Sequence, residues 1–452
     1  MKKVLAILLA ALMLLPVFAT AEGTDITSWI LEEDTSISGD ISFWMPFKGS
    51  QGMDALIADF NKTYPNIKVT LNTYNNNSDG NLSVNTSIMA GEVDVLASFG
   101  LSSVYKRWES GLYEDLTDLV EEEGIDLVAN WGSDAFQLDE TIYTFPCGGL
   151  SYYVAINMSA WEKAGLGELP TEWTWDEYLA ASKAMTEYND DGTVKVYGGS
   201  DYHSQNYFTY QYGAKVGKNA YYDADGTSSF DNPAIIKALE REVQAELVDK
   251  IWFPKATYRG DNLQAQQTFL VERVVNSAIN PNMVRFLPDT TNYGVDFITG
   301  FAPWPVDEKG QTNYMSGVSP FSHAGIAFDA ERTEEEFAAC WAFLKWYSTY
   351  GVKYLAAAGH QPNWAGTEPG SALALLFGSE DEAAKFVDVE SFKRVVGVAT
   401  SPQYYEDELT AYSTVNSTLV EYTMYALNGT MTAEEAMLEA AKIADEAIAK
   451  ER

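Results

Sequence analysis

The sequence predicts an α/β protein in which one chain builds two bodies. Three observations carry this. Short apolar or alternating runs take turns with helical patterns from residue 40 onward. Segments suited to crossing between bodies recur along the chain instead of forming one linker, and at 452 residues the chain is longer than one core usually fills.

The elements follow in order. Ile41 and Phe43 alternate with Ser42 until Pro46 stops the strand. Met53, Leu56, Ile57 and Phe60 fall at helical spacing, and 67–71 alternates again. Strand, helix and strand in this order demand a parallel pair with a right-handed crossover. A helix over 82–90, ending near Gly91, and a buried strand over 94–98 repeat the pattern. Ligands of such sheets sit beyond the carboxyl ends of the strands, which puts 44–49 and 98–102 on one functional edge.

The stretch 146–157 reads as a strand leaving one body for the other. Its aromatic and β-branched residues Tyr152, Tyr153, Val154 and Ile156 follow the glycine pair Gly148 and Gly149. Thr174 with Glu177 forms a capping box, in which hydroxyl and carboxylate each satisfy a free N–H, opening a helix to about 188. A turn at 189–192 precedes a strand at 194–197, and 201–213 is dense in aromatics and amides. Helices are expected at 233–247 and 261–270, a strand at 274–279, and a strand over 293–305 returning to the first body. Beyond a strand at 324–328, Thr333 with Glu336 caps a helix to about 350, and 359–366 makes a third crossing. Helices at 371–377, 381–387, 407–427 and 433–450 complete the chain, the last behind Thr432 and Glu435.

Lys2 and Lys3, an apolar run from Val4 to Ala19 and the small pair Ala19 and Ala21 make a secretory signal peptide, with cleavage expected after Ala21. No cysteine follows the apolar run, so no lipid anchor is indicated; the expected location is periplasm, cell surface or medium. Cys147 and Cys340 leave a disulfide and two buried thiols both open. The formal charge of −36 repels phosphate backbones and anionic lipid, arguing against nucleic acid and membrane surfaces.

The Asp-Gly stretches 223–226 and 189–192 resemble calcium loops, but the required ligand positions are missing and turns are the expected reading. His203, His323 and His360 lack the spacing of metal-binding helices. No nucleophile elbow, P-loop or dinucleotide fingerprint is present. Many carboxylates and 12 tryptophans keep a secreted glycoside hydrolase open as an alternative, and a glycan-binding surface protein without transport as another.

A collinear series of short motifs begins with Ile41-Ser-Phe-Trp, Met53-Asp-Ala-Leu-Ile-Ala-Asp-Phe, Tyr64-Pro-Asn-Ile-Lys-Val, Gly91-Glu-Val-Asp-Val and Leu112-Tyr-Glu-Asp-Leu-Thr-Asp. Val154-Ala-Ile-Asn, Trp173-Thr-Trp-Asp-Glu-Tyr, Pro303-Trp-Pro, Ala342-Phe-Leu-Lys-Trp and Leu427-Asn-Gly-Thr-Met-Thr-Ala-Glu-Glu-Ala continue it. In these motifs the chain resembles the family 1 extracellular solute-binding proteins, the carbohydrate-binding subunits of ABC importers.

This resemblance implies a two-lobe periplasmic-binding-protein fold of type II, maltose-binding-protein-like, with hinge strands and a central cleft. The expected division is a signal peptide over 1–21 and a leader over 22–39. One lobe takes 40–152 and 303–358, the other 153–302 and 359–452. It further implies a carbohydrate ligand, permease subunits of an ABC importer as partners, a monomer, no cofactor and no enzymatic activity.

Sugar rings need flat aromatic surfaces and side chains that donate and accept. At the places where the family contacts ligand, this chain offers Trp44, Phe47 and Lys48; Ser98 and Phe99; Tyr152; and Gln205, Asn206 and Tyr207. Later positions offer Asn282, Trp304, Gly317, Trp364 and Tyr412. Trp44, Ser98, Trp304 and Gly317 are expected from the first lobe, Tyr207, Asn282 and Tyr412 from the second. Several sugar binders carry an acidic residue or tryptophan where this chain has Leu150, Ser98 or Asn282.

Overall fold

The computed structural model describes residues 34–132, 140–201, 207–279, 281–317, 319–367, 371–396, 404–406 and 409–452. The signal peptide, most of the leader, His203, Gln205 and Asn206 lie outside the described residues.

Two sheets organise the chain. Among the described residues the first has six strands: β1 (Gly39–Met45), β2 (Ile67–Thr73), β3 (Val95–Phe99), β4 (Phe145–Leu150), β11 (Ser319–Ile326) and β12 (Gln361–Pro362). Their order is β12-β4-β11-β3-β1-β2. β1 runs parallel to β2 with Gly39 opposite Ile67, and parallel to β3. Helix α1 (Met53–Thr63) supplies the crossover that the alternating and helical runs required. β11 is antiparallel to both β3 and β4.

The pleat sorts side chains by face. Ile41, Phe43 and Met45 point into a core shared with Met53, Leu56 and Phe60 of α1. Trp44, one residue out of phase, lies on the opposite face against a second cluster of Tyr74, Val84, Leu96 and Trp108. That cluster is closed by helices α2 (Ser78–Met89) and α3 (Leu101–Glu109).

The second sheet takes β5 (Tyr153–Asn157), β8 (Ser200–Asp201), β9 (Asn276–Ile279) and β10 (Thr299–Pro303), in the order β10-β5-β9-β8. β6 (Glu187–Tyr188) and β7 (Val194–Val196) form a hairpin. Cores lie on both faces of the second sheet, the larger rich in tryptophan and tyrosine. Within this body Lys255 and Glu242, both fully buried, pair at 2.5 Å, and the Lys255 N–H donates to Glu246 Oε2 at 3.0 Å.

Several expectations are met to the residue. The capping boxes at Thr174 and Glu177, Thr333 and Glu336, and Thr432 and Glu435 all form, opening helices α4 (Trp175–Met185), α7 (Glu334–Ser348) and α9 (Ala433–Glu451). Thr333→Ala removes an N-terminal cap and is expected to lower the unfolding free energy by about 1 kcal/mol, read from the urea midpoint at unchanged slope.

Others shift. The single strand over 146–157 is two, because Ser151 and Tyr152 carry the chain from the first sheet to the second. The strand within 293–305 pairs Thr299–Pro303 antiparallel with β5, so it belongs to the second sheet and not the first. Trp304 goes with it. The chain rejoins the first sheet with β11 and stays there through Gln361 and Pro362, which pair with Gly149 and Gly148 of β4. The helix expected over 261–270 is instead Lys255–Gly260 and Gln266–Phe269, broken where Asn262 takes a left-handed φ of 49°. Both cysteines are buried and free.

Candidate functional site

The crossings meet side by side. The Tyr152 N–H donates to the Met315 carbonyl at 2.9 Å, tying the first crossing to the segment that leads back. The Ser151 N–H donates to Gln361 Oε1 at 2.9 Å, and Gln361 Nε2 in turn donates to the Val396 carbonyl. Nearby, Arg285 from the turn Pro281–Phe286 donates to the Ala358 carbonyl at 2.9 Å. Gln361 therefore holds the crossing strand with one end of its amide and the second body with the other.

At the carboxyl ends of the first sheet, aromatic rings close over this junction. Phe47 meets Phe99 edge to face at 4.8 Å, and both meet His360, at 5.1 and 5.4 Å. Phe321 stacks on His360 at 5.8 Å and packs against the main cores of both bodies. Burial, with Arg285 nearby, pushes the His360 imidazole down to about 3, so it is a neutral ring at physiological pH.

Two cavities adjoin along the same edge, sharing Ser102 and Lys106 of α3. The larger, about 510 Å³, has Asn76, Asn77, Asn81 and Asn85 on one wall and Ser102, Ser103 and Lys106 on the other, with Arg107 between. Asn77 caps α2, its side chain accepting from the Gly80 N–H at 2.9 Å, and Asn81 and Asn85 follow one turn apart on the same face. Arg107 donates from Nε to Asn85 Oδ1 at 2.8 Å, from Nη2 to Asn81 Oδ1 at 2.8 Å and from Nη1 to Ser98 Oγ at 2.7 Å. The smaller cavity, about 140 Å³, lies between the bodies: Ser102, Tyr105 and Lys106 face Tyr412, Ser413 and Thr414. These last three begin helix α8 (Tyr412–Leu427), entered through Ala411 at a left-handed φ of 54°.

The sequence-predicted residues divide accordingly. Phe47 and Phe99 come together at the sheet edge, and Phe99 also lines the larger cavity. Tyr412 lines the smaller one, stacked on Tyr221 with ring centres 5.9 Å apart. Lys48 is exposed and lines neither cavity, its N–H bonded to Gln51 Oε1. Tyr207 opens helix α5 (Tyr207–Val216), Asn282 lies in the turn Pro281–Phe286, and Gly317 is buried just after the turn Tyr314–Ser316.

Five others are drawn into the packing. Ser98 is fully buried, with its hydroxyl shared by Arg107 and Tyr113, and has no face left for a ligand. Trp304 is 1% exposed, packed edge to face on Tyr152 and Trp175 in the second body, and Tyr152 is buried with it. Trp364 is buried in the first core, its Nε1 donating to Asn130 Oδ1 at 2.9 Å. Trp44 is half-buried on the sheet face. Indole rings offered by loops were absorbed by cores, where their area is worth most. Sequence reading missed Asn76, Asn77, Asn81, Asn85 and Arg107, although the triple asparagine 75–77 follows a strand's carboxyl end and the spacing 77, 81, 85 marks one helix face.

Among the described residues no group of three His, Cys, Asp or Glu side chains stands close enough to hold a metal ion, and no helix is long and apolar enough to cross a membrane.

Two sheets, crossings bonded to one another and cavities at the strand ends define a two-lobe solute-binding architecture. The family model for bacterial extracellular solute-binding proteins matches residues 47–354, and the chain belongs to that family. Membership places it among extracytoplasmic binding proteins.

No curated protein matches the chain by sequence. Solved structures do match in fold. A sugar transporter from Rhizobium etli in an open conformation is 14% identical with a TM-score of 0.70, covering 90% of this chain and 99% of that one. An ABC substrate-binding protein from Listeria monocytogenes in complex with cycloalternan is 19% identical with a TM-score of 0.66, over 91% and 99%. UgpB from Mycobacterium tuberculosis in complex with glycerophosphocholine is 15% identical with a TM-score of 0.65, over 91% and 99%.

Proposed function

We propose that this protein is the substrate-capturing subunit of an ABC importer for a carbohydrate. It is exported with its signal peptide removed after Ala21, and it hands its ligand to a membrane permease without altering it. The observation that carries the reading is the pair of adjoining cavities, walled by amides, hydroxyls and aromatic rings, in which Ser102 and Lys106 of one lobe face Tyr412 of the other. A ligand that touches both walls favours the closed arrangement over the open one, and a permease can read that difference.

Calorimetry with neutral mono- and oligosaccharides tests this. Saturable binding with the sugar recovered unchanged is expected; release of a smaller sugar would establish the glycoside hydrolase instead. Tyr412→Ala, which removes a partly exposed ring, should weaken the affinity by roughly three- to tenfold, the range of about 0.5–1.5 kcal/mol for one aromatic contact.

A further inference from the structure

The larger cavity has a cationic lining in a strongly acidic protein. The chain carries 65 acidic and 29 basic residues, yet among the described residues no aspartate or glutamate lines this cavity, whereas Lys106 and Arg107 both do. Asp79, in the first turn of α2, is exposed and outside the lining.

Arg107 is the unusual member. It is 1% exposed, and among the described residues its hydrogen-bond partners are all neutral: Asn85 Oδ1, Ser98 Oγ, the Asn81 backbone and side-chain oxygens, and the Tyr74 and Tyr113 hydroxyls. The comparably buried Arg332 sits between two carboxylates, Asp94 at 3.3 Å and Glu114 at 3.5 Å. A buried cation without a counter-charge is costly, and amide and hydroxyl dipoles offset only part of that cost. Two helix starts add to the field. Asn77 caps α2 at the cavity wall, and Ser102 and Ser103 stand in the first turn of α3.

Carboxylates return in the neighbouring cavity, which is lined by Glu109 and Glu451 as well as Tyr412. The two cavities therefore ask for different ends of one ligand. Resting on the carbohydrate reading above, we propose that the larger cavity receives an anionic substituent of the ligand, a phosphate, sulfate or carboxylate, while its neutral hydroxylated part extends toward Tyr412. Exposed Lys106 makes the direct contact. Arg107 is a positioning residue: by holding Asn85 Oδ1 it leaves the Asn85 NH2 as the donor, while Asn81 Nδ2 is already bonded to Asn76 Oδ1 and the Asn77 carbonyl.

The test uses the full exported chain at low salt near pH 7, titrated calorimetrically with inorganic phosphate and with sulfate, and separately with the neutral sugars. Saturable anion binding is expected, weakened about tenfold or more by Lys106→Glu, an exposed change that leaves the core alone. Asn85→Asp supplies the missing carboxylate to Arg107; it should raise thermal stability while abolishing anion binding, a combination that damaged folding would not give. Failure of phosphate and sulfate to bind, or binding indifferent to both substitutions, overturns the proposal. Neutral sugars binding where the anions do not would overturn it and leave the carbohydrate reading standing. Anions binding where no sugar does would support it and remove that reading.

Discussion

Trp304→Ala is expected to lower the unfolding free energy by about 3–5 kcal/mol, the cost of emptying a large aromatic site in a packed core. At a ligand-contacting Trp304, the role the family resemblance offers it, the change would instead weaken binding and spare the fold. Its burial reverses that order. Trp304 meets Trp175 at 5.5 Å and Tyr152 at 5.9 Å, both edge to face, inside the main core of the second body. Neighbouring backbone is fixed as well: the Trp173 indole donates to the Pro303 carbonyl at 2.7 Å, and Asn313 Nδ2 donates to the Trp304 carbonyl at 2.6 Å. Urea unfolding followed by circular dichroism should show the midpoint fall at unchanged slope. A midpoint within experimental error of the parent would mean that the indole is not packed as described.

Acid is expected to destabilise the protein before its carboxylates titrate. Burial pushes His323 and His360 down to about 3, against 6.5 for an exposed imidazole. Between those values the unfolded chain takes up protons that the folded chain refuses. Stability is therefore complete above pH 6.5 and is lost as pH falls toward 3. Each histidine contributes up to about 1.4 kcal/mol per pH unit once pH is well below 6.5, so the pair removes about 3 kcal/mol between pH 6.5 and 5. Urea midpoints measured across that interval should fall steadily, with His323→Gln roughly halving the slope. A flat profile down to pH 5 would show that one or both rings accept a proton in the folded state.

Much of the fold was legible because its signals are local. A capping box needs only a threonine and a glutamate three residues on, and each of the three read from sequence formed. The helix Ser371–Phe377 was placed to the residue. What sequence could not settle was membership. Thr299–Pro303 is an apolar strand that would suit either sheet, and only its pairing with β5 assigns it to the second.

The site followed the same rule. Phe47 and Phe99, offered by the family resemblance, meet at the edge where the strand-end rule for parallel sheets puts the loops 44–49 and 98–102. Asn77, Asn81 and Asn85 look like a solvated helix face when read alone. They become a cavity wall through Arg107, which belongs to a different helix and whose burial no local pattern announces.

The strand order of the first sheet also governs when this protein can fold. β11, made of residues 319–326, lies between β3 and β4, which are synthesised more than 150 residues earlier, with the whole second sheet encoded in between. A nascent chain that has completed β4 still has an open gap where its central strand belongs. Closing that gap late brings together partners far apart along the chain, a high contact order that slows folding. The sheet cannot close until nearly three-quarters of the chain has been made.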